Sequence, residues 1–158
     1  MIKALIFDFD LTLYDSSSIK PFMDTGQWPI VYKNIHNCSF YNGAIDTLKS
    51  LKKNGFKIAI VSNAPRIYIT KVLSYYDINI DYLVCYHDVQ HHKPNPQGIY
   101  QVLNYFRINN KEALYIGDND IDYNTAYNAQ VQFFGVPWGR FSMRIQIINF
   151  KIIKESFV

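Results

Sequence analysis

Five short apolar runs, each too brief for a helix and bounded by turn residues, constrain this chain most: Ala4–Phe7, Phe56–Val61, Tyr82–Tyr86, Ala113–Ile116 and Val131–Val136. Within them apolar residues follow one another rather than alternating with polar ones, the pattern of strands buried on both faces. Stretches with helical period lie between the runs. Ala44, Leu48 and Leu51 share one face with Lys49, Lys52 and Lys53 outside it, and Asn54-Gly55 makes a stop. Pro65 suits a helix start before Ile69, Val72, Leu73 and Tyr76; Ile99, Val102, Leu103 and Phe106 form a third face; a short helix with Ala126 and Ala129 precedes the last run. This alternation predicts an α/β chain: a Rossmann-like, doubly wound parallel sheet of about five strands with right-handed crossovers. A length of 158 residues with 49% hydrophobic and 18% charged residues suits one packed domain spanning 1–158.

Two segments do not fit the alternation. Residues 14–40 mix Ser, Pro, Gly, Asn and aromatics, with Pro21, Gly26 and Pro29 as breakers, and such long irregular stretches are more often functional than accidental. The tail from Phe141 is ambiguous, because Ile145, Ile148 and Ile152 fit a helix while Ile145, Ile147 and Asn149 alternate.

The chemistry sits where the runs end. The first runs out into Asp8 and Asp10, followed by the hydroxyl of Thr12; the second ends at Ser62-Asn63; the fourth ends at Gly117-Asp118-Asn119-Asp120-Ile121-Asp122; Lys93 lies in the loop after the third. A parallel sheet brings all these ends to one edge, where open α/β folds build their sites. Crowded carboxylates raise one another's pKa, and a hard divalent cation with oxygen ligands relieves them. Mg²⁺ is the common choice where a phosphate shares the site. Lys93, Ser62 and Thr12 supply the positive charge and donors that a phosphoryl group needs. The composite reads as an aspartate nucleophile, a metal and a phosphate cradle.

These motifs resemble those of the haloacid dehalogenase-like hydrolase superfamily, its phosphatases in particular. Phe7-Asp8-Phe9-Asp10-Leu11-Thr12-Leu13 is similar to motif one, Val61-Ser62-Asn63 to motif two, Lys93-Pro94-Asn95-Pro96 to motif three, and Gly117-Asp118 through Asp122 to motif four. The likeness runs from Ile2 to about Gly139. It implies a Mg²⁺-dependent phosphatase that hydrolyses a phosphomonoester through an aspartyl-phosphate on Asp8. Asp10 would be the acid/base, Lys93 the stabilising cation, and Thr12, Ser62 and the Asn63 amide the phosphate ligands. Asp8, the Asp10 carbonyl and Asp118 would hold the metal, with Asp122 supporting that shell. The first strand should be central, beside the fourth. Many relatives have Gly where Leu11 and Gln130 stand, so Leu11 should stiffen its turn and Gln130 should lack an easy left-handed residue. Residues 14–40 are much shorter than the insertion that forms a full helical cap, so the resemblance implies a chain that is capless or carries at most a short lid-like insertion there. The site edge should therefore be open unless a neighbouring subunit covers it, which leaves room for a homo-oligomer.

Alternatives are a phosphomutase of the same superfamily, disfavoured by the short insertion, and a non-catalytic phosphate-binding or regulatory module, disfavoured by the full residue set. Asp10 and the acidic cluster also argue against a dehalogenase. The formal charge of +3 comes from scattered lysines and is no nucleic-acid footprint, so nucleic acid enters only as a substrate end. Cys38 and Cys85 have no metal-ligand spacing and suit a reduced, cytoplasmic setting. No signal peptide is expected, since Asp8 and Asp10 cut the first apolar run, and no run approaches the roughly 18 apolar residues of a membrane span. His91 and His92 read as solvated loop histidines and Asp120 as a loop carboxylate. Trp138 reads as a packing residue, while Trp28 and Tyr32 form either an aromatic platform for substrate or a small hydrophobic cover.

Overall fold

The computed structural model describes all residues, Met1–Val158. The chain runs β1 (Ala4–Phe7), β2 (Tyr14–Asp15), α1 (Lys20–Asp24), α2 (Trp28–Asn34), β3 (Ser39–Phe40), α3 (Ala44–Lys53), β4 (Lys57–Val61), α4 (Arg66–Tyr75), β5 (Tyr82–Val84), α5 (Gln97–Phe106), β6 (Ala113–Asn119), α6 (Asp120–Asn128), β7 (Gln132–Arg140) and α7 (Phe150–Phe157). Five parallel strands form the sheet in the order β5-β4-β1-β6-β7. β1 is thus central, flanked by β4 and β6, as the resemblance implied. No helix is long and apolar enough to cross a membrane.

Alternation along the central strands divides the core. Leu5, Phe7, Ile58, Ile60, Leu114 and Ile116 face one side, packed with α3, α4 and α7 residues such as Leu48, Val72 and Ile153. Ile6, Ala59, Val61, Ala113 and Tyr115 face the other, under Ile99 and Val102 of α5 and Ala126 of α6. Both faces are covered, which is why the strands carry no solvent-facing polar alternation.

Three boundaries differ from the sequence expectation. β5 stops at Val84, and Tyr86–Asp88 turns into a 3₁₀ helix capped by Cys85, whose amide donates to Asp88 Oδ2 at 2.7 Å. β6 and β7 run on past Ile116 and Val136, because their edges continue to pair as far as Asn119 and Arg140. Polar and glycine residues at those ends conceal the pairing from a hydrophobicity pattern.

The insertion is built, not irregular. β2 and β3 pair antiparallel, Tyr14 opposite Phe40 and Asp15 opposite Ser39, which closes its two ends. Pro21 and Pro29, read as breakers, stand in the first turns of α1 and α2, where a missing N–H costs nothing. Gly26, at φ +70°, makes the left-handed link between them. Each helix is too short to show a period. Ile19, Val31 and Phe40 join the same buried cluster as β1, and Phe9 stacks on Tyr14 at 5.5 Å.

The tail satisfies both readings in turn. Residues 146–148 add to the β7 edge, with Gly135 N donating to Gln146 O and Ile148 N donating to Gly135 O, both at 2.9 Å. Then Asn149 caps α7 by accepting from Ile152 N at 2.9 Å. The buried face is Phe150 and Ile153, not Ile152, and Thr47 of α3 donates to Phe150 O at 3.1 Å.

Candidate active site

Asp8 continues β1: its amide donates to Ile116 O at 2.9 Å, keeping it level with β6. The chain then folds back on itself, with Phe9 O accepting from the amides of Leu13 and Tyr14 at 3.0 and 3.1 Å. Leu11 takes the left-handed conformation at φ 60°, although it is not glycine. Trp138 Nε1 donates to Leu11 O at 2.8 Å, and its ring stacks on Tyr41 at 4.1 Å. The packing role expected of Trp138 therefore includes pinning the turn after Asp8.

On the neighbouring strand Asp118 ends the buried part of β6, and Asn119 caps α6 by accepting from Asp122 N at 3.1 Å. That cap turns Asp122 back toward the strand, where its Oδ2 accepts from Asp118 N at 3.1 Å. Gly117 is required by this approach, since a Cβ there would lie 2.4 Å from Asp122 Cβ. Oxygens of Asp8, Asp118 and Asp122 consequently lie within 4.8 Å of one another, all three residues buried.

Lys93 closes the cluster. Its buried Nζ donates to Asp8 Oδ1 and to Asp122 Oδ1, each at 2.7 Å. Tyr115 lies beneath, accepting from Lys93 Nζ at 3.2 Å and donating to Asp122 Oδ1 at 3.1 Å. Burial and the neighbouring Asp122 charge push the Asp8 carboxyl well above its ordinary value, against the pull of Lys93. Burial and Asp122 likewise push Asp118 up to about 6. Burial alone would lower the Lys93 ammonium, but Asp122 and Asp8 hold it well above its usual range. The cation is therefore permanent, while the carboxylates are under strain.

Three carboxylates against one ammonium leave a formal charge of −2 when all are ionised. A cluster of hard oxygen donors with that excess fits a divalent cation such as Mg²⁺. Asp8, Asp118 and Asp122 are the side chains able to hold it.

Other expected site residues are placed more variously. Ser62, Asn63 and Asp10 line a cavity of about 300 Å³ together with Asp8, Lys93, Asp118 and Asp122. Asn63 Oδ1 also accepts from Lys93 N at 3.2 Å, tying the two loops together. Thr12 is fully buried, its hydroxyl 3.1 Å from both Asp8 Oδ2 and Asp118 Oδ1, and it does not reach the cavity wall. The Asp10 side chain stands apart from the acidic cluster, leaving only its carbonyl for a metal; its Oδ1 accepts from Tyr68 Oη at 2.7 Å. Burial raises the Asp10 carboxyl, against that hydrogen bond.

The insertion supplies Lys20, Met23, Asp24 and Trp28 to the cavity. Trp28 lies 6.2 Å from Tyr32 and 6.1 Å from Tyr68, ring centre to ring centre. Outside the site, Asp120 accepts from Ser142 N at 3.0 Å and so serves its loop. His92 stacks on Tyr86 at 3.9 Å.

Sequence reasoning missed Tyr68, Tyr115 and Asn119. Asn119 was findable, since an Asn three residues before Asp122 has N-cap spacing. The two tyrosines sit among apolar residues on a helix face and in a strand, where a phenol reads as core.

An acidic cluster with a buried lysine at the carboxyl edge of a parallel sheet defines a class of hydrolase, and comparison with known proteins agrees. Residues 24–136 match the haloacid dehalogenase-like hydrolase family, so the chain belongs to that family. Two curated relatives are pyrophosphatases PpaX. One, from Bacillus cereus strain G9842, is 33% identical over 100 residues, 62% of this chain and 46% of its own. The other, from Halalkalibacterium halodurans, is 33% identical over 94 residues, 58% of this chain and 44% of its own. The chain thus spans under half the length of these relatives. Among solved structures, a haloacid dehalogenase-like hydrolase from Bacteroides fragilis superposes with TM-score 0.76 at 25% identity, covering 94% of this chain and 95% of that one. CbbY from Rhodobacter sphaeroides, solved with phosphate, shares the fold with TM-score 0.74 at 14% identity, covering 98% and 96%.

Proposed function

We propose that this chain is a Mg²⁺-dependent phosphohydrolase acting through an aspartyl-phosphate. The observation that carries the reading is the cluster itself: Lys93 bridges Asp8 and Asp122 at 2.7 Å beside Asp118, on the wall of one open cavity. An Asp8 oxygen attacks phosphorus, and the bond from phosphorus to the leaving oxygen breaks as Asp10 delivers its proton. Water then attacks the same phosphorus, giving its proton to Asp10, and inorganic phosphate leaves with Asp8 restored. Lys93 stabilises charge on nucleophile and phosphoryl group, Ser62 and the Asn63 amide bind phosphate oxygens, and the Thr12 hydroxyl, expected from the resemblance to do the same, instead braces Asp8 and Asp118 from beneath. When bound by Asp8, the Asp10 carbonyl, Asp118 and Asp122, Mg²⁺ supplies charge neutralisation and orients the phosphate.

The insertion belongs to the single domain of 1–158 and acts as a small lid, whose Lys20, Met23 and Trp28 meet the leaving group. That favours leaving groups larger than a small metabolite, such as a phosphorylated sugar acid, a nucleotide or a macromolecular end. The name of the curated relatives supports a second substrate, inorganic pyrophosphate, cleaved by the same steps with phosphate as leaving group.

Phosphate release from p-nitrophenyl phosphate, a sugar-acid phosphate, a nucleotide and pyrophosphate, each with Mg²⁺ or with EDTA, tests the reading. Turnover should require Mg²⁺ and be abolished in Asp8→Asn. Retained release by purified Asp8→Asn would sink the covalent mechanism.

A further inference from the structure

Asp10 has two jobs in the mechanism above, and a carboxylate with two free torsions is poorly suited to either. Its proton must meet the leaving oxygen in one step and be recovered from water in the next. Geometry requires a reacting oxygen held within hydrogen-bond reach of both. Asp10 does not belong to the Lys93 network that holds Asp8 and Asp122. Its carboxylate accepts from the Tyr68 hydroxyl at Oδ1, 2.7 Å away. The buried Ser16 hydroxyl, which has no other partner, also adjoins this carboxylate.

Tyr68 itself is packed on both sides. It is fully buried in the first turn of α4, with its ring edge-on to Phe9 at 5.9 Å and tilted against Trp28 at 6.1 Å. Phe9 separates the two catalytic aspartates in sequence, so one ring braces both the backbone between them and the Asp10 carboxylate. Trp28 belongs to the insertion and lines the cavity. From this arrangement we infer that Tyr68 is a positioning residue for Asp10: it occupies Oδ1, leaving Oδ2 as the oxygen that carries the proton, and Trp28 fixes the tyrosine ring from the substrate side. The inference rests on the phosphohydrolase reading and refines it.

Tyr68→Phe keeps the ring that fills the space between Phe9 and Trp28, so the variant should fold, which a thermal melt checks. Its informative assay is rapid mixing with p-nitrophenyl phosphate in Mg²⁺. Nitrophenolate leaves without needing a proton, whereas breakdown of the phosphoenzyme needs Asp10 to take one from water. The burst of nitrophenol should therefore keep its wild-type rate within about twofold, while steady turnover falls about 10- to 100-fold and phosphoenzyme accumulates, as expected when part of a general-base contribution is lost. With an alkyl phosphate, whose leaving oxygen must be protonated, the first step should slow as well. For p-nitrophenyl phosphate kcat/KM should stay within about twofold, since it reports the first step alone, and KM should fall in step with kcat as the second step becomes limiting. A merely structural role would depress burst and turnover together, and that result overturns the inference. Wild-type kinetics in Tyr68→Phe, with Asp10→Asn impaired, overturns it alone. A wild-type protein that hydrolyses nothing with or without Mg²⁺ overturns the phosphohydrolase reading and this inference with it.

Discussion

Asp118→Asn should stabilise the metal-free protein while removing its response to Mg²⁺. Asp118 is buried, and burial with the Asp122 charge lifts its carboxyl from 3.8 to about 6. A group whose folded pKa is raised adds stability that is full below its unfolded pKa and lost as pH rises through the folded one. Metal-free wild type should therefore lose stability between pH 4 and about pH 7, and a displacement from 3.8 to about 6 amounts to about 3 kcal/mol. Asparagine keeps the geometry, because its Oδ1 can still accept from Thr12 and Asn119 as Asp118 Oδ1 does at 3.1 and 3.3 Å. It removes only the ionisation. In EDTA at pH 8 the variant should melt above wild type by up to roughly 6–12 °C, given about 2–4 °C per kcal/mol for a chain of this size. The difference should shrink toward zero by pH 4. Excess Mg²⁺ should raise wild type by about 2.7 kcal/mol at a hundredfold excess over Kd, and leave the variant where it was. The assay is thermal unfolding followed by circular dichroism across pH 4–8, with EDTA or Mg²⁺. A variant that melts below wild type in EDTA at every pH refutes the claim that these carboxylates strain one another. An equal Mg²⁺ response in both proteins places the ion elsewhere.

Gln130 is held left-handed at φ 56°, so Gln130→Gly should relieve about 1 kcal/mol of strain against a smaller entropic cost, raising the melting temperature by about 1–2 °C. Gly117→Ala should do the opposite, since its Cβ would meet Asp122 at 2.4 Å; a loss of about 1–3 kcal/mol in a denaturant melt, with weakened Mg²⁺ stabilisation, is expected. Trp28→Ala should lower kcat/KM for a bulky substrate about 10-fold or more while leaving kcat/KM for p-nitrophenyl phosphate nearly unchanged, as steady-state kinetics on the two will show. Cys85 is buried and its thiol is pushed up to about 12, so it should resist alkylation at pH 8 until the chain is unfolded, a difference that mass spectrometry reads directly.

The apolar runs and helix periods by themselves determined the α/β class, the five strands of the parallel sheet and the edge where chemistry gathers. These are local properties, since burial on both faces writes a continuous apolar run and a helix face writes its own period. That Asp8, Ser62, Lys93, Asp118 and Asp122 could converge was legible because each sits at a strand end, in the loop beyond it or in the first turn of the helix that follows. Only the tertiary structure decided how they meet. Lys93 stands 85 residues from Asp8 and 29 from Asp122 in sequence, and nothing local reveals that one ammonium bridges both. The helices of 14–40 were hidden because they are too short to repeat, and their prolines occupy the first turns, where a breaker breaks nothing. The tail changed from sheet edge to helix within three residues, so any single period misdescribes it. Tyr68 and Tyr115 read as core because their rings are core; their hydroxyls found Asp10 and Asp122 only once α4 and β6 had packed against β1. A phenol's ring obeys the hydrophobic pattern that sequence records, whereas its oxygen answers to a partner that folding alone brings within reach.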